Sequence, residues 1–362
     1  MRLLASHPAT IECLLDIEKV YKPEQSESVL NLLHKLNGIA EIFTECLKSG
    51  KEQASSNEVA EGISLDIQRT HVMVDKAVKN LQKKKRLITI KELNSLPVAE
   101  AYRFLLNGLR FGYVNLKENG VFKHAHSSSI STSAPATSKV LRLSQELADL
   151  SSSLPCEHTN SIFVRCDRSR VDVINVLIMG SKDTPYSNGA FTFDVYCDDS
   201  YPNNPPKMLI TTTGQGKIRF NPNLYSCGKV CLSLLGTWRG SASENWDPKV
   251  STLLQLFIST QGITMSDDVY FNEPGFEGEQ GTEEGERKNE AYSNIVRLGN
   301  VRYAMVGQIK NPPKGFEEVI KRHFYIKRHE IIEECEKWLE YAEKREASYN
   351  GLVNDHNSSW CA

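Results

Sequence analysis

Residues 221–232, Asn-Pro-Asn-Leu-Tyr-Ser-Cys-Gly-Lys-Val-Cys-Leu, set two cysteines, Cys227 and Cys231, behind a tight Asn221-Pro222-Asn223 turn. Three chemistries use cysteines this close. A zinc site needs two further ligands at fixed spacing, usually a second short Cys or His pair, and the sequence offers none. A redox pair favours a two-residue gap that opens a helix, whereas this gap is three residues long and contains Gly228. A lone nucleophile needs a donor for the charge that develops on a carbonyl oxygen. Asn223, eight positions upstream of Cys231 across a turn, can fold back and offer its amide. A buried structural cysteine is the other reading of Cys231, and spacing alone leaves both open. His124 and His126 could be metal ligands, but with no cysteine or acidic partner beside them in sequence they read as loop histidines.

The elements that position these residues are legible from periodicity. Val29, Leu32, Leu36, Ile39, Phe43 and Cys46 recur at steps of three and four, the spacing of one apolar helix face. A second helix runs from Ser64 toward Leu81 and ends in Lys83–Arg86, read either as a solvated helix end or as a nuclear signal. Ala101, Leu105, Leu109 and Phe111 to Val114 suggest another helix and a turn. Residues 127–138 are Ser-rich and poor in large apolar side chains, which predicts a flexible linker between an α-helical region at 1–126 and a second domain at 139–343, with a tail at 344–362. From Lys139 the pattern is a helix, then short strands consistent with a four-stranded antiparallel meander, then helices after Thr252. The fold class expected is α+β.

Composition bounds the function. The 362 residues are 40% hydrophobic and 24% charged with a net charge of -2, which describes a soluble globular chain of about two domains without a global attraction to nucleic acid or to an anionic membrane. No apolar run approaches the ~18 residues of a membrane span, and the first ten residues are too soon interrupted by His7 and Pro8 for a secretory signal. Nine scattered cysteines fit a reducing compartment rather than a disulfide framework. The expected address is cytoplasmic, with the nucleus as the alternative.

The order Met-Gly-Ser-Lys-Asp-Thr-Pro-Tyr-Ser-Asn-Gly-Ala-Phe (179–191), Tyr-Pro-Asn-Asn-Pro-Pro-Lys-Met (201–208), Asn-Pro-Asn eight residues before Cys231, and Asn-Trp-Asp-Pro (245–248) resembles the ubiquitin-conjugating (UBC) family block by block. The match covers 139 to 343. The longer loop after the cysteine and Asn-Glu-Pro-Gly-Phe-Glu (272–277) are similar to the large members, and other segments to the conjugating region of the giant inhibitor-of-apoptosis proteins, which combine conjugating enzyme and ligase. Their Cys/His zinc repeat is not found in this sequence, so caspase binding through it is not implied.

The resemblance implies that Cys231 accepts ubiquitin from an activating enzyme as a thioester, for attack by a substrate lysine. It implies no bound cofactor, ATP being used by the activating enzyme. Asn223 would support the oxyanion, Pro222 would fix the turn, and Glu273 aligns with the family's acid, with Asp267 and Asp268 as competitors. Asn221 stands where the family has histidine, which puts the turn-locking hydrogen bond in doubt and supports a rival reading as a catalytically weak adaptor. Asn203 replaces the aromatic that commonly touches a RING ligase. Trp238 and Arg239, in the insertion 236–245, are candidate substrate contacts, and Trp246 reads as core. Lys139 and Arg142 occupy the helix face that the family offers to the activating enzyme. The N-terminal helices, too apolar to stand alone, are candidates for self-association.

Overall fold

The computed structural model describes residues 37, 65–74, 76, 95–131, 135–238, 240, 241 and 243–346. The chain divides into two compact units at Ser95/Leu96. In the first, 65–74 is helical, as expected, with Thr70 and Val74 buried and the Thr70 hydroxyl donating to Asp66 O (2.7 Å). The Val29–Cys46 face, apart from helical Asn37, and the Lys83–Arg86 run lie outside the described residues.

The second unit is built on five strands, β1 (Phe111–Val114), β4 (Ile162–Asp167), β5 (Val173–Met179), β6 (Ala190–Tyr196) and β7 (Lys207–Ile210), side by side in that order. The meander from β4 to β7 is antiparallel, with Phe163 opposite Leu177, Val176 opposite Phe193 and Val195 opposite Met208. The fifth strand corrects the sequence reading. Phe111–Val114, expected as a turn, lies parallel to β4 with Phe111 opposite Val164. The expected domain boundary after residue 126 therefore falls inside this unit, which begins at Leu96. Part of the Ser-rich segment is docked as well. Residues 124–130 form consecutive turns, and Ile130 packs on Leu116, Val173 and Tyr196.

Helices α2 (Thr137–Ser153) and α3 (Leu253–Thr264) cover one face of the sheet. Leu143, Leu147 and Leu150 of α2 and Leu253, Leu256 and Phe257 of α3 share a core with Val164, Val176 and Phe193. Thr252 starts α3 through a capping box, its hydroxyl accepting from Gln255 N–H while Gln255 reaches back. The opposite face is covered too. The short strands β2 (Lys117–Glu118) and β3 (Val121–Phe122) and the turns after them reach Tyr196 and Asp194, where Ala125 N–H donates to Asp194 Oδ2 (2.5 Å). Arg165 donates to Gly315 O (2.6 Å) and lies over the Phe316 ring. Every residue of β4 and β6 is buried as a result.

Helix α4 (Glu283–Gly299) continues through a π-helical stretch (Asn300–Val306) into α5 (Gly307–Lys310). At Gly299 an added Cβ would stand 1.8 Å from Ile218 Cδ1, so the helix packs close on the site-bearing segment and a larger residue there would have to displace the Ile218 side chain. Asn300 donates to Pro185 O and Ser187 O. The last helix, α6 (Glu317–Glu346), packs on α1 (Val98–Leu106) through His323, whose Nε2 donates to Asn188 O (3.1 Å). The other ring nitrogen then accepts from the Tyr102 hydroxyl (3.0 Å). Asn188, with φ of 61°, is a residue type that tolerates the left-handed region.

Candidate functional site

The twelve residues fold into a small hairpin that seats one cysteine and exposes the other. Tyr225 N–H donates to Lys229 O (3.0 Å) and Gly228 N–H to Tyr225 O (3.0 Å), closing a turn with Cys227 near its tip, exposed. Gly228 has φ of 96° and its carbonyl accepts from Ile210 N–H (2.8 Å); a Cβ there would stand 2.9 Å from Ile210 O. The hairpin is thereby added to the free edge of β7. Cys231 lies on the returning arm, 3% exposed, its N–H donating to Asn223 O (2.9 Å). The cysteines thus serve different places, one on a turn and one in a seat.

Asn221 does what the sequence left in doubt. Its Oδ1 accepts from Asn223 N–H (2.9 Å), its Nδ2 donates to the Tyr186 hydroxyl (3.2 Å), and that hydroxyl donates to Phe220 O (2.6 Å). The amide bridges the turn to the Thr-Pro-Tyr segment, so the departure from histidine keeps a turn lock. Asn223, in contrast, commits its backbone to the hairpin and leaves Oδ1 buried without a partner. Its side-chain amide is not tied down by the turn.

Burial pushes the Cys231 thiol up from its ordinary value; Lys229, Tyr225 and Arg219 pull it down, and Glu273 pushes it up. These groups form one cluster. The Arg219 guanidinium lies 4.3 Å from the centre of the Tyr225 ring, the Lys229 ammonium 5.6 Å from it, and Arg219 Nη2 stands 3.0 Å from Glu273 Oε2. Glu273 follows a 3₁₀ turn (Tyr270–Asn272) fixed to α4 by Tyr270 N–H donating to Asn289 Oδ1 (3.0 Å). Asp267 and Asp268 lie exposed; burial, with Asp267 and Glu286 beside it, raises the Asp268 carboxyl.

The structure thus brings together Cys231, Asn223, Asn221, Pro222 and Glu273. It does not leave Lys139 and Arg142 free. Lys139, expected on a partner-facing helix surface, is 1% exposed and donates to Asp172 Oδ2 (2.8 Å), Asp199 Oδ1 (3.1 Å) and Cys197 O. An unpaired ammonium there would be costly to bury, so this cation belongs to the fold. Arg142 is turned toward Glu146 and Ser251 O and fastens α2 to the segment before α3. Trp238 is exposed on the insertion and Arg239 lies outside the described residues. Asn203 is exposed, while Trp246 is half-buried beside Tyr201 and donates to Pro202 O (2.7 Å). His124 is buried against Ile174 O.

Sequence reasoning passed over Arg219, Tyr225, Lys229 and Thr237. Lys229 and Cys231 are two apart in an extended arm, a spacing that puts side chains on one face, and that signal was available. Thr237 braces the cysteine's arm by accepting from Leu232 N–H (3.0 Å) and donating to Val230 O (2.8 Å), which no spacing announces.

A meander with a cysteine-bearing hairpin added to its last edge, and an Asn-Pro-Asn turn ahead of the thiol, is the UBC fold. Residues 142–297 match the ubiquitin-conjugating enzyme family. Over 94% of its length the chain is 38% identical to the human dual E2 ubiquitin-conjugating enzyme/E3 ubiquitin-protein ligase BIRC6, and over 94% it is 37% identical to the Mus musculus BIRC6. It spans 8% of the length of each of these relatives. Over 55% of its length it is 46% identical to a probable ubiquitin-conjugating enzyme of Caenorhabditis elegans, covering 27% of that protein. Among solved structures, an E2 domain of Toxoplasma gondii is similar over 46% of this chain and 98% of its own, with 27% identity and a TM-score of 0.34.

Proposed function

We propose that Cys231 carries ubiquitin as a thioester and passes it to substrate lysines. The observation that carries this reading is the hairpin itself: Cys231 seated by its backbone N–H on the Asn223 carbonyl, directly behind the Asn221-Pro222-Asn223 turn, with the Asn223 side-chain oxygen not used by the turn. In loading, the Cys231 thiolate attacks the carbonyl of a ubiquitin thioester on the activating enzyme, and the activating enzyme's thiol leaves. ATP is spent on that enzyme, and no bound cofactor is needed here. In discharge, a lysine amine attacks the same carbonyl, a C–N bond forms, the C–S bond breaks and Cys231 leaves as thiolate. The amine's proton goes to the Glu273 carboxylate, a general base held by Arg219 at the rim of the site. Asn223 donates to the oxyanion in the intermediate. The relatives named as joint conjugating enzyme and ligase support a chain that engages its own substrate, with Trp238 on the exposed insertion as the contact.

The test is incubation of the full chain with activating enzyme, ATP and ubiquitin, read on a non-reducing gel. The expected result is an adduct lost with thiol reductant and replaced by at most a reductant-resistant ester in Cys231→Ser. A thiol-sensitive band that persists in Cys231→Ser moves the nucleophile, with Cys227 the next candidate.

A further inference from the structure

The assignment of Glu273 as proton acceptor leaves unexplained how a carboxylate on the segment before α4 is held to a thiol on a hairpin after β7. Arg219 spans that gap. It precedes the Asn-Pro-Asn turn, and its Nη2 donates both to Pro222 O (2.5 Å) and to Glu273 Oε2 (3.0 Å). Its guanidinium lies over the Tyr225 ring, and Tyr225 is one of the groups that bear on the Cys231 thiol. Its own carbonyl accepts from the Tyr292 hydroxyl of α4 (3.2 Å). Its Nε–H is buried without a partner. A surface ion pair needs none of this. A planar fork that satisfies a carbonyl, a carboxylate and an aromatic face together holds geometry that an ammonium cannot.

We infer that Arg219 is the positioning residue of the discharge step, fixing the Glu273 carboxylate against the turn that carries the nucleophile. The inference rests on the reading of Cys231 and Glu273 given above. Arg219 touches neither the thioester carbonyl nor the incoming amine; it acts through Glu273 and Tyr225. The charged and titratable groups facing the thiol are then Tyr225, Lys229, Arg219 and Glu273. Removal of Arg219 frees the Glu273 charge and takes away one of the two cations that favour the thiolate.

The experiment uses the full chain, loaded with ubiquitin and chased with free lysine between pH 6.5 and 9. Arg219→Gln is expected to load on Cys231 within about twofold of the unmutated chain and to discharge about 10- to 10²-fold more slowly, the scale of a misplaced catalytic group. Its pH–rate profile should match that of Glu273→Gln, and the double variant should be no slower than the slower single, because both remove one device. Arg219→Lys, which keeps charge without the fork, should load normally and discharge slowly; it carries the test if Arg219→Gln does not fold. Iodoacetamide labelling of the Cys231 peptide, read by mass spectrometry, should slow by about threefold at pH 8 in Arg219→Gln through the loss of a nearby cation. Wild-type discharge with an unmoved pH profile in both Arg219 variants, or multiplicative losses in the double variant, overturns the positioning role alone. Absence of any thioester on the unmutated chain overturns the reading of Cys231, and this inference with it.

Discussion

Asn221 and Asn223, two residues apart, have opposite jobs, and their variants should separate. Asn221→Ala leaves the buried Asn223 N–H and the Tyr186 hydroxyl each short of a partner, a loss of about 1–3 kcal/mol that lowers the urea midpoint of the whole unit. Asn223→Ala keeps the turn, because only its side chain goes. It should take ubiquitin onto Cys231 and then discharge it about 10²-fold more slowly, since the donor acts when the oxyanion develops. Discharge at the unmutated rate removes Asn223 from the chemistry. The pH dependence of the thiol follows from its burial. Raised above the ordinary cysteine value, Cys231 is mostly protonated at neutral pH, so its iodoacetamide labelling should climb about tenfold per pH unit from 7 and show no plateau by pH 9. At this scale the sequence carried much of the site. The eight-residue interval pointed to Cys231 because a turn of fixed length brings its ends together. Arg219 and Tyr225 escaped because their value lies in what they touch 54 residues away, at Glu273, and across a ring face.

Among the elements, β1 and α1 decide where the second compact unit begins. Arg165 on β4 donates to Leu109 O and Gly315 O, while Arg322 on α6 donates to Leu105 O, so the N-terminal strand and helix are bound to both ends of the fold. A chain starting at residue 96 should charge with ubiquitin. One starting at 127 should lose folding cooperativity and charging together, and normal charging of that shorter chain would show that β1 is dispensable. The join of α1 to α6 adds a pH dependence. His323, pushed down to about 3 by burial and by Lys327, is neutral in the folded state and protonates in the unfolded chain below its ordinary value. Its contribution is intact above about pH 6.5 and is lost progressively as pH falls toward 3. The urea midpoint should therefore drop between pH 6.5 and 4, and His323→Gln should flatten that drop; an unchanged slope removes His323 as its source. The sequence hid β1 because four residues with Gly112 among them carry no periodicity, and their strand identity comes from β4.

At the scale of the whole chain, the Ser-rich segment suggested a boundary after residue 126 where the compact units divide at Ser95/Leu96, and the charge pattern misled. Lys139 and Arg142 look like an outward face of α2 because basic residues at a helix start are usually solvated. In the fold they are anchors, the first to Asp172 and Asp199, the second to Glu146 and Ser251. Such a cation is visible in a sequence only through the carboxylates that meet it, and these come from loops 33 and 60 residues away. A chain from residue 96 should also report on the first unit. If charging is unchanged while native mass spectrometry shows a smaller assembly than the full chain forms, residues 1–95 serve association rather than chemistry.

The sheet covered on both sides has a consequence for how this domain can vary. A sheet with one wet face tolerates change at every second position. In β4 and β6 no position is wet, so a saturating substitution scan scored on abundance should find these strands intolerant at each residue. Only β7, whose residues alternate between exposed or half-buried and buried, should show the two-residue rhythm. Drift in such a domain is confined to its rims: the insertion after Cys231, the loops between helices and the last turns of α6. New partners would be acquired there, while the strands stay fixed.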